Sequence, residues 1–260
     1  MNTNNNTYTV VYTTIIVIIV AAILAFAAMS LNGRQVANMK AETIGQILKA
    51  AKIKSGESNA EIIATYKDQI AEAYTVDLNG AKVGTLPVED ATIYTTSDLK
   101  AQNYKIADAA DAALPVYVFK NGTKVVPIYG AGLWGPVWGY IAVNPDNKTI
   151  AGAYFDHESE TPGLGGKIKD DPSFRAQFAG KKVLYGEGDP FSIVKGGAPE
   201  GKENAVDAIT GATMTSKGLN AAIVTWLNAY QVSIETAQKV IGTLEEMAEN
   251  SNTEEEPSNE

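Results

Sequence analysis

The sequence predicts an α+β protein in which an antiparallel sheet is flanked by helices and stands behind one N-terminal transmembrane helix. Three observations predict it: an uncharged apolar run from Val10 to Leu31, turn signals between short alternating apolar runs in the middle of the chain, and helical apolar spacing near both ends. The chain has 260 residues, of which 45% are hydrophobic, enough for one or two domains with a real core.

Taken in order, residues 1–9 form a polar N-terminal tail. Residues 10–31 then match the roughly 20 apolar residues that cross a bilayer core as a helix. Ala25-Phe26-Ala27 has the form of a signal-peptidase site, but no Lys or Arg precedes the apolar run, so a retained anchor is the preferred reading. Arg34, Lys40 and Lys49 all follow the run, and the positive-inside tendency taken alone keeps the bulk of the chain in the cytoplasm. Residues 32–75 read as a helical connector. Ile44, Ile47, Leu48 and Ala51 share one helix face, and Ser58 with Glu61 has the capping-box form ahead of Ile62, Ile63, Tyr66 and Ile70.

From Val76 the pattern changes to strands, and the main domain extends from there to residue 250. Asn79-Gly80, Asn121-Gly122 and Asn144-Pro145-Asp146-Asn147 mark turns, the second between PVYVFK and TKVVPIYG. Asp171-Pro172 predicts a short helix carrying Phe174 and Phe178. KKVLY and FSIVK read as strands, and Ser216–Tyr230 and Ser233–Asn250 as helices. Residues 251–260 are acidic, lack apolar groups and read as a disordered tail. No internal repeat is visible.

Composition removes several functions. Thirty acidic against 21 basic residues give a charge of −9, which argues against nucleic acid as the partner. With no cysteine and one histidine, the chain alone cannot supply a thiolate-bound iron–sulfur cluster, a Cys/His zinc site or a bis-His haem. Any redox chemistry must then reside in an organic cofactor.

Three stretches stand apart. Gly130 to Tyr140 holds four glycines and two tryptophans, a pattern that serves either close approach to a flat apolar ligand or relief of crowding at a sheet corner. His157-Glu158-Ser159-Glu160-Thr161-Pro162-Gly163-Leu164-Gly165-Gly166-Lys167 is an anion or ring cradle that matches neither the Walker loop nor the dinucleotide fingerprint. Its His157 beside Asp156, Glu158 and Glu160 reads as solvated, as an acid/base cluster or as half a metal site. Asp207-Ala208-Ile209-Thr210-Gly211-Ala212-Thr213-Met214-Thr215-Ser216 gathers hydroxyls before an amphipathic helix, where free N–H groups and the helix dipole suit a phosphate. Plain helix capping is the alternative.

DAITGATMTS resembles the flavinylation motif of bacterial FMN-binding domains, Asp-(Gly/Ala)-x-(Ser/Thr)-Gly-Ala-(Ser/Thr), whose threonine is esterified to the phosphate of FMN. The other two stretches are similar to companion motifs in the NqrC family of the Na+-translocating NADH:quinone oxidoreductases and in RnfG, its counterpart in the related Rnf complex. GLWGPVWGYIAV and GLGGK resemble the former pattern more. The resemblance covers residues 8 to about 230, and the three motifs in this order behind one membrane helix are strongly specific.

It implies a covalent FMN on Thr213, with Asp207, Thr210, Gly211 and Ala212 forming the rest of the motif that a flavin transferase reads. Thr215 and Ser216 lie beside the acceptor. Glu160, Thr161, Gly163, Leu164, Gly165 and Lys167 fall on the loop packed near the isoalloxazine, and Leu133 and Trp134 on the segment next to it. No catalytic side chain and no metal ligand is implied. The implied role is an electron carrier in a Na+-pumping NADH:quinone reductase, with other membrane subunits of the complex as partners. The implied location is the bacterial inner membrane, single-pass, with the bulk of the chain periplasmic, against the charge bias. The alternatives are the Rnf counterpart, a tethered module gripping a sugar or peptide without redox function, and a hydrolase using His157 and Glu160.

Overall fold

The computed structural model describes residues 6–186 and 188–235. Helix α1 (Asn6–Ala50) is a single continuous helix of 45 residues. The apolar run and the amphipathic connector, separate in the sequence pattern, are two parts of this one rod, because nothing between Leu31 and Lys40 breaks helical geometry. Its first part is exposed and apolar enough to cross a membrane, with a mean hydropathy of 2.8 over its best window. Ile44, Ile47 and Leu48 near its end are fully buried.

Helix α2 (Asn59–Gln69) begins at the predicted capping box, with Ser58 and Glu61 bonded reciprocally. Strand β1 (Ile70–Val76) follows at once. The strands therefore start at Ile70 rather than Val76, and the expected helical connector over 32–75 contains most of β1. Ile70 is not on the helix but opposite Phe119 in the sheet. Strand β2 (Lys82–Thr85) returns across the Asn79-Gly80 turn. Helix α3 (Thr96–Ala107) was not anticipated, although Thr95 and Asp98 form a second capping box.

Strands β3 (Leu114–Phe119), β4 (Lys124–Ala131), β5 (Pro136–Val143) and β6 (Ile150–His157) complete an antiparallel sheet in the order β2-β1-β3-β4-β5-β6. Gly122 takes a φ of +81° at the β3–β4 turn, the left-handed conformation that an Asn-Gly hairpin requires. Helices α4 (Lys167–Asp170) and α5 (Pro172–Ala176) come next, the latter capped by Asp171 as predicted. Strands β7 (Ser192–Val194) and β8 (Ala205–Asp207) form a separate parallel pair. KKVLY is no strand; it contributes only one bridge, Lys182 to Thr149. Helix α6 (Thr213–Ala229) packs on β4 and β5. Beyond residue 235, the helix expected over Ser233–Asn250 and the acidic tail lie outside the described residues, as do residues 1–5.

The sheet is covered on both faces, which explains why its strands read as nearly unbroken apolar runs. Val116, Val126, Ile141 and Phe155 face one core with Leu219, Ile223 and Trp226 of α6. Their neighbours Tyr117, Val125, Tyr140 and Tyr154 face a second core closed by Ile44, Ile47, Leu48 and Tyr66. The alternation follows from the two-residue period of a strand. It leaves the β4–β5 hairpin tip, the loop after β6 and the start of α6 together.

Candidate functional site

Glu160 binds the three singled-out stretches together. It is 4% exposed, and its Oε1 accepts the N–H groups of Leu133 (2.6 Å) and Trp134 (3.0 Å) at the hairpin tip, while Oε2 accepts the Thr215 hydroxyl of α6 at 2.6 Å. Burial raises the carboxyl pKa. The hydrogen bonds from Thr215, Trp134 and Leu133, with the nearby His157, outweigh that and hold it below its ordinary value. The Ser159 hydroxyl adds a bond to the Trp134 carbonyl at 2.9 Å. His157 is not part of a metal cluster among the described residues; its Nδ1 accepts the Glu160 N–H at 3.1 Å.

The glycines permit this closeness. A Cβ on Gly165 would stand 2.4 Å from Glu160 Oε2 and 2.5 Å from Thr215 Oγ1, and one on Gly132 would stand 2.4 Å from Glu160 Oε1. The relief-of-crowding reading of Gly130–Tyr140 thus describes part of the segment. Gly130 and Gly139 are tight against Ala222 and Phe155 within the fold, whereas Leu133 and Trp134 at the tip are exposed.

Helix α6 begins at Thr213, earlier than the expected Ser216. Its N-cap is Ala212, so no side chain caps it. The hydroxyls therefore do not serve as caps. Ser216 Oγ accepts the Ile209 N–H at 3.1 Å, and Thr215 is engaged by Glu160; both side chains are buried. Thr213 is half-buried, and among the described residues its hydroxyl makes no hydrogen bond. The N–H groups of Thr213, Met214 and Thr215 likewise have no partner there, since the first bond of the turn is from Ser216 to the Ala212 carbonyl at 2.9 Å. Four large apolar side chains, Leu133, Trp134, Leu164 and Met214, stand exposed around this helix end, and Leu164 lies beside Gly211.

Other predicted residues are placed less centrally. Thr210 and Gly211 are exposed in the turn before α6, with Gly211 at a φ of +82°. Asp207 ends β8 and accepts the Ala198 N–H at 2.7 Å, bracing a neighbouring loop. Thr161 and Gly163 are exposed in the loop, where the Thr161 carbonyl accepts the Gly166 N–H at 2.9 Å. Lys167 starts α4 and carries no ion pair among the described residues; the paired lysine is Lys169, 2.9 Å from Asp156. Sequence reasoning missed Gln46, Asp156 and Lys169 as a group. The available signal was Gln46, a polar residue on the apolar face of Ile44, Ile47 and Leu48. A groove of about 880 Å³ opens on the α3 side of the hairpin, past Lys100 and Tyr104; it touches the loop after β6 only at Glu158 and does not include the start of α6.

The uncapped helix end, an unengaged hydroxyl and a ring of apolar side chains suit a phosphorylated, flat, aromatic ligand. Fold and site define a membrane-anchored FMN-binding domain, and residues 132–228 match the family model described as FMN-binding domain. Over 221 residues the chain is 35% identical to the NqrC protein of the Na(+)-translocating NADH-quinone reductase of Vibrio anguillarum, covering 79% of this chain and 84% of that one. It is 34% identical to the corresponding protein of Pasteurella multocida over 223 residues, with coverage of 79% and 83%. The crystal structure of the Parabacteroides distasonis relative matches with a TM-score of 0.66 at 35% identity, over 78% of this chain and 96% of that one. That of Shewanella oneidensis NqrC matches with a TM-score of 0.64 at 27% identity, over 78% and 99%. The chain belongs to the NqrC family of the Na+-translocating NADH-quinone reductases.

Proposed function

We propose that this chain carries FMN, esterified through its phosphate to Thr213 Oγ1, and relays electrons between cofactors of neighbouring subunits in a Na+-pumping NADH:quinone reductase. The observation that carries this reading is the difference among three adjacent hydroxyls. Thr215 and Ser216 are buried and bonded, while Thr213 is half-buried, has no hydrogen bond on its hydroxyl among the described residues and sits at an uncapped helix N-terminus. The three N–H groups of the first turn, without partners among the described residues, and the positive end of the helix dipole stabilise the singly charged phosphodiester there without a basic side chain. FMN, when bound, supplies the one- and two-electron redox chemistry that these side chains lack.

The chain's own part is to hold and expose. Glu160 fixes the hairpin tip against α6, and Leu133, Trp134, Leu164 and Met214 offer apolar contact for a ring while leaving one side open to a partner. A tethered cofactor is not lost between electron transfers. The attachment calls for a flavin transferase, and that requirement favours the periplasmic side of a bacterial inner membrane for the domain. The remaining membrane subunits supply donor and acceptor. Production of the full chain together with a transferase tests the reading. The denatured band fluoresces yellow under ultraviolet light, and Thr213→Ala removes the fluorescence; a dark wild-type band overturns it.

A further inference from the structure

Asp156 on β6 is a carboxylate with 2% exposure placed between two cores and the end of the membrane helix. Its Oδ2 accepts Gln46 Nε2 of α1 at 2.9 Å. Its Oδ1 accepts the His157 N–H at 2.8 Å and pairs with Lys169 Nζ of α4 at 2.9 Å. Gln46 is 5% exposed, and its Oε1 accepts the Trp138 indole N–H of β5 at 3.3 Å. Only one orientation of the Gln46 amide satisfies both partners, so the four side chains form one connected set.

Such a set adds little stability over apolar residues of the same shape, because each buried polar group must first be removed from water. It does discriminate between arrangements. A one-residue slip of α1 turns Gln46 by about 100° and leaves Asp156 and Trp138 without their partner. The other end of the set, Lys169, lies on α4, which grows directly from the loop of Thr161 and Gly165. Helix α1 continues unbroken from Gln46 into the membrane segment, and residues 32–39 are exposed helix, touched by α2 where Asn38 Oδ1 accepts Asn59 Nδ2 at 2.7 Å. Between Leu31 and Ala41 that rod spans about 15 Å at 1.5 Å per residue.

We propose that Gln46 and Asp156 are positioning residues which clamp the rotation of the membrane helix to the loop of the cofactor site, so that the open side of the site faces a fixed direction relative to the bilayer. The purpose of the clamp rests on the electron-relay reading, but its geometry does not. The chain has no cysteine, so spin labels can be placed without background.

The test uses the full chain in lipid nanodiscs with nitroxides at Ala37→Cys and Glu158→Cys, and distances measured by pulsed double electron resonance. The native pair yields one narrow distance. Gln46→Leu shifts it or broadens it at least twofold, and so does the near-isosteric Gln46→Glu, which sets two carboxylates against each other. Adding Asp156→Asn to Gln46→Glu restores the narrow distance, a rescue that a merely space-filling role does not give. Unchanged distances in both single variants, or a folded double variant that stays broad, overturn the clamp. In-gel fluorescence of the same samples reports attachment separately, so a dark band with native-like distances counts against Thr213 as acceptor and leaves the clamp standing.

Discussion

Glu160 takes donors from residues 26, 27 and 55 positions away in the chain, and its removal is felt at all three. Glu160→Ala leaves the Leu133 and Trp134 N–H groups at the exposed tip and the buried Thr215 hydroxyl without their acceptor, a loss of about 1–3 kcal/mol set mainly by the buried hydroxyl. Thermal unfolding of the full chain in detergent is expected to show a Tm lower by several degrees, with flavin loading reduced in parallel. Glu160→Gln keeps an acceptor for the two backbone groups and changes the acid response instead. The native carboxyl pKa lies below its unfolded value. Its stabilisation is therefore fully present above about pH 4.3, the ordinary glutamate value, and is lost as pH falls through the lower native value. Urea unfolding from pH 6 down to pH 3 should show the wild type losing more stability than Glu160→Gln; parallel curves contradict the assignment. This hub was not legible in the sequence, because the pairings are long-range, while the motif residues themselves were.

At the scale of elements, the start of α6 is held against the hairpin by the absence of a side chain. A Cβ on Gly218 would stand 2.1 Å from the Ala131 carbonyl oxygen and 3.2 Å from Gly132 Cα. Gly218→Ala therefore pushes the helix off the hairpin. Despite the better helix propensity of alanine, a cost of about 1–3 kcal/mol is expected, as for other overpacked sites. Attachment to Thr213 should fall with it, read as fluorescence per mole of chain; full loading at native Tm is the contrary result. Local rules found the elements that local chemistry determines, such as the Ser58 and Asp171 caps and the Asn-Gly hairpins. Helix α3 carried an equally local signal at Thr95 and Asp98 and went unread because its apolar face is narrow, with only Leu99 and Gln102 buried. KKVLY has a strand's composition but lies beside the sheet with one bridge, a tertiary outcome that composition does not express. The early start of β1 has the same cause, since pairing of Ile70 with Phe119 ends α2 where its apolar spacing would continue.

Across the whole molecule, one rod links a membrane segment to a two-sided sheet and runs along β6 from Gly152 to Asp156, toward the sheet end that carries the site. The charge bias of Arg34, Lys40 and Lys49 and the family resemblance disagree on which side of the membrane the sheet lies. Lys40 is engaged within the fold by the Asp90 carbonyl, which lessens its weight as a topology signal. A periplasmic domain predicts that Lys100→Cys, on the exposed face of α3, reacts with a membrane-impermeant maleimide in intact cells whose outer membrane has been permeabilised. Labelling only after lysis contradicts it. At this scale the sequence was most informative where three separated motifs agreed, and least where a long helix concealed the join between anchor and domain. The central claim is one ester bond at Thr213, and the intact mass of the chain purified under denaturing conditions from its native host tests it most directly. The expected value is the sequence mass plus FMN less one water, and the bare mass in Thr213→Ala. A wild-type chain at its bare sequence mass, or an adduct undiminished by the substitution, would contradict it.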